Sequence, residues 1–140
     1  MLFLSYIFVL LPSLNCQTLI ERARIAIGEG KYAQALSFYD IEIEQNNENY
    51  LARYLRASLY EVLGKRPQAI NDYSKSLEIN PKFYKAKLNR ALLFIRQGEL
   101  DKAHTDITEI LNIGDSEFSK QCDTHVYAVI LTVRCSKSRK

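Results

Sequence analysis

The sequence predicts an all-α protein, a right-handed superhelix of three helical hairpins followed by a C-terminal capping helix. Three observations carry this prediction. Glycines recur at Gly30, Gly64 and Gly98, a spacing of 34 residues, which is the mark of a repeat architecture. Alanines keep step on both sides, with Ala23, Ala57 and Ala91 seven residues before the glycines and Ala35, Ala69 and Ala103 five after them. Nine residues after the glycines stand Tyr39, Tyr73 and Ile107.

Each column has a mechanical reason. Small alanines let two crossing helices approach closely, the Tyr or Ile beside them fills the remaining space, and the glycine accepts the positive φ common at helix C-termini. Pro67 suits the first turn of a helix, and Pro81 follows the end of one in Leu77-Glu78-Ile79-Asn80-Pro81. The punctuation places helices at about 17–29, 33–46, 50–63, 67–79, 84–97 and 101–113. The three hairpins then occupy 17–49, 50–83 and 84–115, leaving 116–140 for a capping helix and basic tail. In that last stretch Phe118, Cys122, Val126, Val129, Ile130 and Val133 fall at helical spacing. The β-branched run 126–133 also reads as a strand; the helix is the reading adopted. Apolar residues on its outer side point to self-association through this helix.

With 47% apolar and 25% charged residues, the chain has the composition of an ordinary globular protein. Its net charge of +3 is spread thinly, and no basic stripe exists for phosphate, so nucleic acid is not an expected partner. The first twenty residues carry no charged side chain, and the largely apolar run Leu2 to Leu11 is closed by Pro12. That run is shorter than the ~20 residues of a membrane helix, so residues 1–16 read as a signal peptide, with a buried N-terminal helix as the rival reading. The mature chain is expected to have no membrane span. Removal would leave Cys122 and Cys135. If both lie on one helix they stand ~20 Å apart at 1.5 Å per residue, too far for a mutual disulfide. Cys122 and His125 have no second pair of metal-ligating partners, so neither a metal nor a cofactor is expected.

The pattern of small, aromatic, Gly, Ala, aromatic, Ala and Pro positions resembles the tetratricopeptide-repeat family over residues 17–115, most fully at 50–83. The first copy has Glu42 and Asn47 where the family has a small residue and proline, and the third ends at Gly114-Asp115. A narrower resemblance lies in Arg56-Ala57-Ser58, Gly64-Lys65, Asp72-Tyr73, Phe83-Tyr84-Lys85-Ala86, Arg90-Ala91 and Gly98-Glu99-Leu100-Asp101-Lys102-Ala103. These runs are similar to the N-terminal repeats of the lumenal DnaJ-type co-chaperones of the endoplasmic reticulum. That resemblance implies a binder of unfolded clients, working beside chaperone machinery. The His-Pro-Asp triplet of the J domain is missing from the 140 residues, so the chain reads as a truncated or divergent relative.

In such a superhelix the first helix of each hairpin lines the concave face. Counting back from the glycines, the apolar groove candidates are Ile20, Ile27, Leu51, Tyr54, Leu55, Leu88, Leu92 and Ile95. The basic carboxylate clamp found in some relatives is not expected, because its positions hold Ile20, Arg24, Leu55, Lys85 and Asn89. An apolar groove gains about 25 cal/mol per Å² of client surface buried and demands no particular sequence. Catalysis is not expected either. Gly28-Glu29-Gly30 lacks the strand and third glycine of a nucleotide fingerprint, and His104 stands in the packing column of Leu36 and Ile70.

A second periodic signal is an arginine eight residues before each glycine, Arg22, Arg56 and Arg90, with Asp72 and Asp106 eight residues after two of them. Charges beside the crossing alanines need partners. Asp72 is therefore expected to pair with Arg56 or Arg90, and Asp106 with Arg90. The first copy has Phe38 in place of the aspartate, which leaves Arg22 the more exposed arginine. The functional expectation is a non-catalytic module that holds unfolded or extended client polypeptide in the endoplasmic reticulum lumen. The alternatives are a scaffold that docks one folded partner, and a secreted location.

Overall fold

The computed structural model describes residues 18–112, and they form six helices: α1 (Leu19–Gly28), α2 (Tyr32–Gln45), α3 (Tyr50–Val62), α4 (Arg66–Ile79), α5 (Tyr84–Gln97) and α6 (Leu100–Asn112). Among the described residues there is no strand. Helices pack on their chain neighbours in succession, α1 on α2 through α5 on α6, which makes a tetratricopeptide-like superhelix of three hairpins. The expected helix limits lie within two residues of these bounds. The signal segment 1–16, the capping helix and basic tail of 116–140, self-association through that helix, and the Cys122 and Cys135 separation lie outside the described residues.

Local chemistry explains several of these boundaries. Thr18 caps α1 by accepting the Glu21 N–H at 3.2 Å, and Asn49 caps α3 by accepting that of Ala52 at 3.0 Å. Pro67 sits in the first turn of α4, where its missing N–H costs nothing. Gly30, Gly64 and Gly98 all adopt positive φ, at 73°, 72° and 78°, turning the chain at the tip of each hairpin. No described helix is long and apolar enough to cross a membrane.

The core follows the columns. Ala23, Ala35, Ala57, Ala69, Ala91 and Ala103 are buried at the crossings, and Tyr39, Tyr73 and Ile107 are buried beside them. Three apolar clusters result. One is built from α1 and α2 with Leu59 of α3, one from α3 and α4 with Ala86 and Leu93 of α5, and one from α5 and α6. Each inner hairpin thus hands one leucine back to its predecessor, Leu59 or Leu93, and that contact propagates the superhelix.

Candidate functional site

In a superhelix of helix pairs the first helix of each pair lines the concave side, here α1, α3 and α5, and their residues divide into two sets. Leu51 is exposed, at 41%, whereas Ile20, Ile27, Tyr54, Leu55, Leu88, Leu92 and Ile95 are half-buried. Ile20, Ile27 and Leu55 pack against the first cluster, Tyr54 against the second, and Leu88 and Ile95 against the third. The cause is helix geometry. Ile20 and Ile27, like Leu88 and Ile95, are seven residues apart, close to two turns, and so lie on the margin of the stripe that faces the partner helix. A ligand in the groove would therefore meet Leu51 and the outward parts of the other side chains.

Between α3 and α5 the groove carries a polar network that sequence reasoning missed. The hydroxyl of the otherwise buried Tyr73 lies 3.1 Å from Ser58 Oγ, accepts from Asn89 Nδ2 at 3.1 Å and donates to Glu61 Oε2 at 3.3 Å. Arg96 Nη1 closes the network with a 2.8 Å bond to Glu61 Oε1. Burial pushes the Tyr73 phenol up to about 12, and the bonds from Ser58 and Asn89 only partly oppose this. Alongside stands an aromatic group, with Tyr54 edge-on to Phe83 at 4.9 Å and 5.7 Å from the Tyr73 ring, and Tyr50 edge-on to Phe83 at 5.1 Å. Ser58, Glu61 and Asn89 all stand at groove offsets in the sequence. Nothing in the period, however, says that a tyrosine hydroxyl from α4 reaches across to them.

The arginine column sits beside the helix crossings. Arg56 donates from Nε to Asp72 Oδ2 at 2.6 Å and from Nη2 to Oδ1 at 2.9 Å, while its Nη1 reaches Asp40 of the preceding hairpin at 2.6 Å. Asp72 is buried, and its bonds together with Asp40 hold the Arg56 guanidinium further above its ordinary value. Arg90 repeats the geometry, with Nε and Nη2 on Asp106 at 2.8 and 2.6 Å and Nη1 on Ser74 Oγ of the preceding hairpin at 2.9 Å. Arg22 is exposed, and its guanidinium lies 4.6 Å over the Phe38 ring. The second acceptor of each inner arginine is absent from the sequence-level reading. It stands ten residues after the glycine, at Asp40 and Ser74, in a column that changes residue type from copy to copy.

Residues 50–83 match a family model described as tetratricopeptide repeat. No curated protein matches the chain by sequence. Among solved structures, the chain is similar to the P58(IPK) TPR domain, with 26% identity and a TM-score of 0.73 over 86% of this chain and 33% of that one. The chain thus spans about a third of that structure's length. The first TPR of Spaghetti (RPAP3) bound to an HSP90 peptide matches with 20% identity and a TM-score of 0.71, covering 86% of this chain and 90% of that one. The Yersinia enterocolitica type III secretion chaperone SycD, in complex with a peptide of the translocator YopD, matches with 18% identity and a TM-score of 0.75 over 85% and 92%. The chain carries a tetratricopeptide repeat and has the fold of tetratricopeptide-repeat domains, which are protein-binding modules.

Proposed function

We propose that the chain is a non-catalytic polypeptide-binding module of the chaperone or co-chaperone type, holding unfolded or extended client segments along its concave face. The observation that carries this reading is the composition of that face. On α3 and α5 Leu51 is exposed and Tyr54, Leu88 and Leu92 are half-buried, and the same two helices carry a polar network that supplies hydroxyl, amide and carboxylate groups. Apolar side chains reward burial of any aliphatic or aromatic residue, and the network's hydroxyl and amide groups suit a peptide backbone. Peptides bound to RPAP3 and to SycD, which share the fold, support the choice of a polypeptide ligand. Location in the endoplasmic reticulum lumen, with secretion as the alternative, belongs to the same proposal and rests on residues 1–16 acting as a signal. Fractionation of a C-terminally tagged chain tests it.

The binding test is the double substitution Leu88→Asp and Leu92→Asp. It should abolish capture of several unrelated denatured proteins while leaving the helical circular dichroism signal nearly intact. Undiminished capture by the double variant would remove the groove from the account.

A further inference from the structure

We propose that the open end of the first hairpin, on a different face from the groove, docks an amphipathic helix of a partner protein that brings a carboxylate to Arg22. The structure contains its own template for this contact, filled twice and left open once. In the second hairpin, Leu59 is 3% exposed because it packs into the cluster of α1 and α2, and Arg56 three residues earlier reaches back to Asp40 of α2. In the third hairpin, Leu93 is fully buried against α3 and α4, and Arg90 reaches back to Ser74 of α4. The first hairpin presents the same pair one period earlier, Arg22 and Ile25, on one face of α1. There Ile25 is 43% exposed.

Charge states what should cover it. Each inner arginine has a carboxylate inside its own hairpin, Asp72 or Asp106, so a backward hydroxyl such as that of Ser74 is enough for Arg90. Arg22 has Phe38 at that position, and among the described residues no carboxylate lies within ion-pair distance of it. A ring face attracts the guanidinium without neutralising it. The missing negative charge must therefore come from the helix that docks, as Asp40 supplies it to Arg56. The template also gives the spacing: a small residue, an aromatic residue four later and the acid immediately after, as in Ala35, Tyr39 and Asp40. Arg22 would hold the acid while Ile25 is covered by the flanking apolar residues.

The probe is a helix-stapled peptide with the sequence of residues 32–45, titrated by fluorescence anisotropy into the full 140-residue chain. The expected result is saturable binding, weakened at least tenfold by Arg22→Ala, by Ile25→Ser, or by Asp40→Asn in the peptide alone. Binding should also fall with added salt and be unchanged by Leu88→Asp with Leu92→Asp, a result that keeps this face independent of the groove. No binding to the folded chain, or binding indifferent to Arg22 and Ile25, overturns the proposal. So does a chain dimer dispersed by Arg22→Ala, which would assign the face to a second copy.

Discussion

The first and second hairpins share one backbone plan and differ in how they treat charge. In the second, Arg56 is locked between a buried aspartate of its own hairpin and Asp40 of its neighbour, and Tyr73 sends its hydroxyl into a network with Ser58, Glu61 and Asn89. Around the first, the equivalents of those groups are apolar or exposed: Phe38 for Asp72, Ile27 for Glu61, Arg24 for Ser58 and, from the hairpin that follows, Leu55 for Asn89. The lesson is that the hairpin keeps its form, with its alanines and its large filler buried, where the polar columns are replaced. Polar coupling runs backward from each later hairpin to the one before it, Arg56 to Asp40 and Arg90 to Ser74, and among the described residues the first hairpin has none before it.

The largest expected effect follows from that contrast. Arg56→Ala leaves Asp72, 2% exposed, without its counter-charge, and removing one partner of a buried pair costs ~3–5 kcal/mol. Arg90→Ala should be similar, since Asp106 is also buried. Denaturant unfolding of both variants checks this, and losses below ~1 kcal/mol would place these pairs with ordinary surface ion pairs and erase the distinction between the hairpins.

A smaller effect sharpens the comparison through pH. The Tyr73 phenol is raised in the folded chain, so the unfolded chain loses this proton first, and stability is fully present below the unfolded value of about 10. It should decline as pH rises from there through about 12, by on the order of 1–3 kcal/mol at one pKa unit per ~1.4 kcal/mol. Tyr73→Phe should flatten that decline. Tyr39 and Tyr60, whose phenols burial also raises, keep part of it. An unchanged slope in the Phe variant would show that the hydroxyl network does not govern the alkaline limit.

How far the sequence could be read follows the same division. Helix limits were legible because the glycines, Pro67 and Pro81 punctuate a fixed period, and backbone punctuation acts locally. The pairing of Asp72 and Asp106 was legible because buried charge demands a partner and the period offered few candidates. What stayed hidden depends on the offset between hairpins. The reach of Arg56 to Asp40 and the bond between the Tyr73 hydroxyl and Asn89 arise from how one hairpin seats on the next. A pattern of single-helix periods does not encode that seating. Missing an exposed Ile25 had a simpler cause: its column is apolar throughout, and only the absence of a preceding described hairpin distinguishes it.

The glycines provide a control that should not distinguish the hairpins. Gly30, Gly64 and Gly98 share nearly the same positive φ, and a Cβ at each would meet nothing within 4 Å, so alanine there costs only the left-handed backbone preference of ~1–2 kcal/mol. Chemical denaturation should give three near-equal losses. A markedly larger loss at Gly64 would show that the second hairpin is a more cooperative unit for reasons beyond its charges.

The smallest expected effect concerns Arg22, whose guanidinium lies over the Phe38 ring at 4.6 Å. An exposed cation over an aromatic face contributes ~0.5–1 kcal/mol, and its guanidinium stays in water, so no buried charge is orphaned when it is removed. Arg22→Ala should therefore cost less than ~1 kcal/mol, several-fold below Arg56→Ala. Phe38→Leu keeps apolar packing against the first cluster and deletes only the ring's quadrupole. A double-mutant cycle of the two then isolates the contact, and a coupling of about 0.5 kcal/mol is expected. A coupling above ~2 kcal/mol would mean that the first hairpin holds its arginine as tightly as the inner ones, and Arg22 would lose its availability to a partner's carboxylate. A coupling near zero, with a small loss for Arg22→Ala alone, leaves the guanidinium as free as its exposure indicates and strengthens the contrast between the outer and inner hairpins.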